Sequence, residues 1–275
     1  MTLRRLHVQL LRLVDVHERR VPRCVRVLLL LGLMLTAVNI INSVHDYNAY
    51  SGTDLRIRIV GARAMLRHIN PYRLDHSTSL PQTLQDPDQY FVGLSRCPYP
   101  PTLLLLYAPL SLFPYRIVRV ISMLLEWAAM VMTIALLART LRTSRLRLFF
   151  VSAALIGFAG SYQWRVHVER GQYHIFATLL LAWGAYLLSD KRRDHWICGV
   201  PFGILLSFRP TVLVLLVILA LARAYRTVSA AVATAVVLVI ITLPVAGLET
   251  WLDWRNLVNR YADLIAGVPS ARGPN

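Results

Sequence analysis

The sequence predicts an all-α polytopic membrane protein with about seven transmembrane helices. Three observations carry this. Hydrophobic residues make up 56% of the 275 residues and the mean hydropathy is +0.51, where soluble domains use roughly 45–50% apolar residues. The apolar residues gather in runs over 25–41, 117–138, 175–188, 211–222 and 228–246; the first, second and last have the about 17–25 residues that a span requires. Short clusters of arginine separate the runs, as in a membrane protein obeying the positive-inside rule. The runs are too long and too continuous for the alternating strands of a β-barrel.

Taken in order, residues 1–24 form a basic cytoplasmic N-terminus. Arg4, Arg5, Arg12, Arg19, Arg20 and Arg23 precede the first span and keep this end inside. Within it, Leu6, Leu10 and Leu13 recur at helical spacing, and the stretch 6–16 is expected to lie on the membrane surface. Run 25–41 lacks a small-residue cleavage site and reads as an anchor, not a signal peptide. The polar loop 45–100 then lies outside. Segment 102–113 is apolar, but at ~1.5 Å per residue it covers only about 18 Å of a ~30 Å core. Pro100, Pro101, Pro109 and Pro114 frame and interrupt it, so it is expected to be a juxtamembrane helix at the outer surface.

Run 117–138 crosses to the cluster Arg139, Arg142, Arg145 and Arg147. Segments 148–162 and 175–188 go out and back to Lys191, Arg192 and Arg193. Segments 196–208 and 211–222 do the same, hinged at Arg209-Pro210, and return to Arg223 and Arg226. Run 228–246 leads out again, leaving 247–275 as an extracytoplasmic segment. Residues 25–246 are thus one transmembrane domain of seven spans in the plasma membrane. The loop 45–100, the turn 162–174, Arg209 and the C-terminal segment share its outer side.

Charge and cysteine exclude other classes. The net charge of +16 is almost all arginine between apolar runs (Lys191 is the only lysine), not a basic patch interleaved with stacking aromatics, so nucleic acid is not a partner. Cys24, Cys97 and Cys198 have no metal-ligand spacing. A transporter should show internal repeats with charges at mid-membrane, and none is seen beyond Glu126. A non-catalytic assembly subunit is the other alternative.

Polar residues concentrate in three places. After the first span come His45-Asp46-Tyr47-Asn48 and Gly52-Thr53-Asp54-Leu55-Arg56. Thr53 or Asp54 can cap a helix running to about His68, with Leu55, Ile59, Ala62, Leu66 and Ile69 as its apolar stripe and Asn70-Pro71-Tyr72 as its stop. Asp54 is then either a capping carboxylate paired with Arg58 or a general base at the water–lipid boundary. The turn 163–174 crowds Arg165, His167, Glu169, Arg170, Gln172 and His174 between two spans. Ionisable groups at such depth are expensive and mark function by default; snorkelling side chains are the alternative. Arg209 precedes Pro210 in the break between two apolar helices, where its fork suits a phosphate.

The order of these motifs resembles the GT-C superfamily of polyprenol-phosphate-sugar-dependent glycosyltransferases, especially its bacterial mannosyl- and arabinofuranosyltransferase-like multispanning family. The matching features are Gly52-Thr53-Asp54-Leu55-Arg56, Asn70-Pro71-Tyr72, Tyr99-Pro100-Pro101 leading into Ala108-Pro109-Leu110, Gly171-Gln172 and Arg209-Pro210. The resemblance implies a GT-C-like first outer loop with juxtamembrane helices. It implies transfer of a sugar, of mannose or arabinofuranose type, from a polyprenyl-phosphate donor to an extracytoplasmic hydroxyl of a glycolipid or glycan. Asp54 matches the base. Arg209, Arg170, Arg165 and His167 become candidates for the donor phosphate, and Gln172, Glu169 and Tyr99 for orienting sugar or acceptor. A phosphate leaving group departs without a metal, so no metal and no cofactor are expected. Relatives continue for several more spans, so the chain is expected to be a shortened variant or a fragment.

Overall fold

A computed structural model describes residues 23–49, 52–74, 84, 97–189 and 194–265. The basic N-terminus with its surface stretch 6–16, most of 75–96 and the cluster 191–193 lie outside the described residues. Among the described residues every regular element is a helix.

Helix α1 (Arg23–Ala49) is followed by α2 (Thr53–Leu66), α3 (Pro101–Ser111), α4 (Tyr115–Thr140) and α5 (Ser144–Ala154). Helix α5 continues through a π-helical turn, Leu155–Ala159, into α6 (Tyr162–Arg170). Then come α7 (His174–Ser189), α8 (Trp196–Leu206), a 3₁₀ turn (Pro210–Val212), α9 (Leu213–Leu221), α10 (Tyr225–Ala246) and α11 (Leu248–Ile265).

Among the described residues three helices, α1, α4 and α10, are long and apolar enough to cross a bilayer. Their 27, 26 and 22 residues span about 33–40 Å. Their side chains require lipid: Leu30, Met34 and Ile41 on α1 and Val236, Ile240 and Ile241 on α10 are exposed, far more contiguous apolar surface than water tolerates. A fourth span arises if α5, its π turn and α6 count together, and this pair is bent by 58°. The bend falls at the end of the expected segment 148–162, and most of the expected turn 162–174 is helix α6. The π turn and Gly160 interrupt the ladder of hydrogen bonds there. Helices α7, α8 and α9 coincide with the remaining apolar runs but are shorter than a bilayer is thick.

Small residues let the helices approach. A Cβ at Gly199 would collide with the Thr227 carbonyl, and one at Gly203 with that of Ala231, so α8 and α10 pack backbone to backbone. Helix α1 runs alongside α5 and its π turn. There Asn39 Nδ2 donates to the carbonyls of Ala159 at 2.9 Å and Ser161 at 2.8 Å, satisfying backbone groups that the π turn releases.

Two local expectations need correction. Neither Thr53 nor Asp54 caps α2. Gly52 does, in the left-handed region (φ 66°), with no side-chain cap bond. The Tyr115 hydroxyl and an Arg119 guanidinium nitrogen lie 3.0 and 3.1 Å from where a Cβ would stand, so a left-handed residue without a side chain is required. Of the expected apolar stripe of α2, Leu55, Ile59 and Ala62 are buried in the core, but the burial does not follow the stripe to its end. Leu66 and Ile69 are exposed while Arg56 and Arg58 are fully buried, because α3 and the α6–α7 corner wrap its first turns. Helix α3 is as short as expected, at 11 residues. Arg63 holds its end, donating to the Ser111 and Phe113 carbonyls, both at 3.0 Å.

Candidate functional site

The polar residues singled out in sequence gather at one end of the bundle. The end of α1 meets α6 through Asp46, whose Oδ2 accepts from Arg165 Nε at 2.7 Å. The start of α2 meets α4 through the Tyr115 hydroxyl, which donates to the Gly52 carbonyl at 3.1 Å. Gly171, at the end of α6, adopts φ 65°, and a Cβ there would press on that of Leu55 at 2.7 Å. The α6–α7 corner thus rests directly on the turn that carries Asp54. Helix α11 joins the same end: Arg73 pairs with Glu249 at 2.7 Å and with Asp253 at 2.5 Å, and Asn70 Nδ2 donates to Asp253 at 2.8 Å.

Arg58 is the centre of this assembly. It is 0% exposed, donates from Nη2 to the Gly171 carbonyl, and lies among three tyrosine rings. Its Cζ is 4.8 Å from the centroid of Tyr107, 5.1 Å from Tyr99 and 5.4 Å from Tyr173. Burying an arginine costs several kcal/mol; each ring returns about 0.5–2 kcal/mol, which together approach that cost. Asp54, half-buried in the first turn of α2, is close enough for its charge to act on Arg58, Tyr99 and His174. Burial pushes the Tyr99 phenol well above its ordinary value, against the pull of Arg58; Tyr99 is a neutral hydrogen-bonding group, not a base. Cys97 is likewise pushed up by burial, to about 12, and is inert as a thiol.

Arg209 stands on the far side of the same cluster. The turn between α8 and the 3₁₀ turn leaves its Cζ 5.9 Å from the Tyr173 ring. Tyr173 is thus flanked by Arg58, Arg209, Tyr99 (5.7 Å) and Phe208 (5.9 Å). From Tyr107 and Tyr173 an apolar slot of about 200 Å³ extends between α3, α4, α7 and α8, lined by Leu103, Leu110, Leu125, Phe176, Leu180 and Ile204 among others. Its lining is almost wholly apolar, and the two tyrosine rings in it are the ones that Arg58 and Arg209 approach, so a space fit for an apolar chain lies beside two cations.

A second cavity, about 10 Å³, lies under Gly52 and Gly171 and is lined by Arg119, Glu126 and Glu169. Glu126, on α4, is fully buried and accepts from Ser122 Oγ at 2.9 Å. Ser122 lines both spaces.

The other expected site residues are distributed unevenly. Arg165 is held by Asp46. His167 stacks on Trp164 at 4.9 Å and 14° and lies 6.4 Å from the His174 ring. Gln172 is half-buried, and its backbone N–H donates to the His167 carbonyl at 3.0 Å. Arg170 is exposed. Sequence reasoning missed Arg58, Tyr107 and Tyr173. For Arg58 a signal existed: it follows Leu55 by three residues and precedes Ala62 by four, which puts it on the apolar side of the helix.

The family model of glycosyltransferase family 87 matches residues 98–273. The match includes Tyr99, Arg165, His167, Gln172 and Arg209 but begins after Asp54. No curated protein and no solved structure matches the chain.

Proposed function

The chain belongs to glycosyltransferase family 87, and on that premise we propose that it transfers a sugar from a polyprenyl-phosphate donor to a hydroxyl of an extracytoplasmic glycolipid or glycan. The observation that carries the reading is the apolar slot lined by Tyr107 and Tyr173, with Arg58 and Arg209 against the Tyr173 ring and Asp54 one helical turn from Arg58. The lipid enters the slot between α3 and α7. Its phosphate meets Arg209, whose fork matches phosphate oxygens, with His167, Arg165 and Arg170 in supporting positions. Gln172, Glu169 and Tyr99 orient the sugar and the acceptor.

Asp54 acts as the base. Its carboxylate takes the acceptor hydroxyl proton as that oxygen bonds to the anomeric carbon. The bond from the anomeric carbon to the phosphate oxygen breaks, and its electron pair leaves with the lipid phosphate, which Arg209 stabilises as charge develops. The fold is read as a GT-C-like bundle of seven spans in the plasma membrane, with the N-terminus cytoplasmic and this site outside. The test is transfer of labelled sugar from polyprenyl-phosphate donors by membranes containing the chain. Transfer that depends on both the chain and the lipid phosphate supports the reading. Equal transfer from a soluble nucleotide sugar refutes it.

A further inference from the structure

Resting on the reading above, we propose that Arg58 is a positioning residue for the reaction. Its planar guanidinium fixes the α6–α7 corner and the tyrosine rings of the slot against the helix that carries Asp54.

Arg58 follows Asp54 by one helical turn, so the two share a side of α2. Its partners all come from elsewhere in the chain. Tyr99 lies ahead of α3, Tyr107 lies within it, and Gly171 and Tyr173 belong to the α6–α7 corner. The bond to the Gly171 carbonyl spans 113 residues of sequence. Gln172, Tyr173 and His174 follow that carbonyl directly, so displacing Arg58 displaces the ring that Arg209 also faces at 5.9 Å. One buried side chain thereby sets the distance between the base and the phosphate-binding arginine. Planarity is the property used. Rings cover the guanidinium while one arm reaches a carbonyl, an arrangement that the compact ammonium of lysine cannot copy.

The experiment compares Arg58→Met, Arg58→Lys and Asp54→Asn in lipid nanodiscs. It reads steady-state transfer and the amide hydrogen exchange of peptide 168–176. Both Arg58 variants should lose kcat by roughly 10–100-fold, the scale of a misplaced reactive group, with donor KM moved less than about twofold and faster exchange in that peptide. Asp54→Asn should abolish transfer with exchange unchanged. Wild-type kcat in Arg58→Lys overturns the proposal, since charge alone would then suffice. So does a loss confined to donor KM, which would make Arg58 a phosphate ligand, and so does unaltered exchange. If Asp54→Asn remains active, the base assignment has failed, and the exchange data still judge Arg58. Where Arg58→Met does not insert, Arg58→Lys decides on the same criteria.

Discussion

Replacing Asp54 by Asn separates a structural carboxylate from a catalytic one, and the geometry makes the separation sharp. Gly52 holds the cap position of α2 and no side chain caps it, so Asn removes no capping bond. No ion pair within 4 Å joins Asp54 to Arg58; that guanidinium is bonded to the Gly171 carbonyl. What folding loses is an anion in the first turn of a helix, worth about 0.3–1 kcal/mol. What catalysis loses is a general base, typically about 10²–10⁴-fold in rate, which is about 2.7–5.5 kcal/mol of barrier. Purified Asp54→Asn should therefore match the wild type in detergent monodispersity and melt within a few degrees of it, while its transfer rate falls below about one per cent. The assay is transfer of labelled sugar in proteoliposomes, with the folded fraction measured on the same preparation. A variant that keeps half the wild-type rate ends the base assignment. A variant that loses rate and fold together returns Asp54 to a structural role.

Other perturbations test neighbouring parts. Arg209→Ala should raise donor KM by roughly 10–100-fold, the cost of one charged hydrogen bond at about 1.5–3 kcal/mol, with a smaller change in kcat; an unchanged KM would exclude it from the phosphate site. Asp46→Ala removes the carboxylate to which Arg165 Nε donates at 2.7 Å, from a side chain that is 35% exposed. The penalty should be about 2 kcal/mol, below the roughly 3–5 kcal/mol of a fully buried pair, seen as a lower melting temperature; no shift would mean that the pair does not hold α1 to α6. Single cysteines at His45 and Glu249, in a Cys24→Ser background, should both react with an impermeant reagent added to whole cells. Reaction at only one of them would contradict the shared outer side.

The sequence by itself determined the class of the fold and where its apolar helices lie; α6, read as part of a turn, and α11, read only as an outer segment, it did not locate. Apolar runs and proline framing located α1, α3, α4 and α10, and they located the break at Arg209-Pro210, because each is a local property of a dozen or two residues set against the thickness of a bilayer. Motif order also pointed to a glycosyltransferase, and the family match agrees. Tertiary structure alone decided which polar groups meet. Asp46 finds Arg165 across 119 residues and Arg58 finds Gly171 across 113. Periodicity reports which side of a helix is apolar, not what covers it. On α2, read from sequence as a helix with one apolar stripe, three other segments supply the covering. Arg56 and Arg58 are therefore fully buried, as are Leu55, Ile59, Ala62 and Met65, while Leu66 and Ile69 at the end of the expected stripe are exposed. The same holds for the slot. Tyr107, in an apolar segment, and Tyr173, in the polar turn, are unremarked aromatic residues until packing brings both rings onto one guanidinium, because a buried charge must collect its compensating partners from wherever the chain passes.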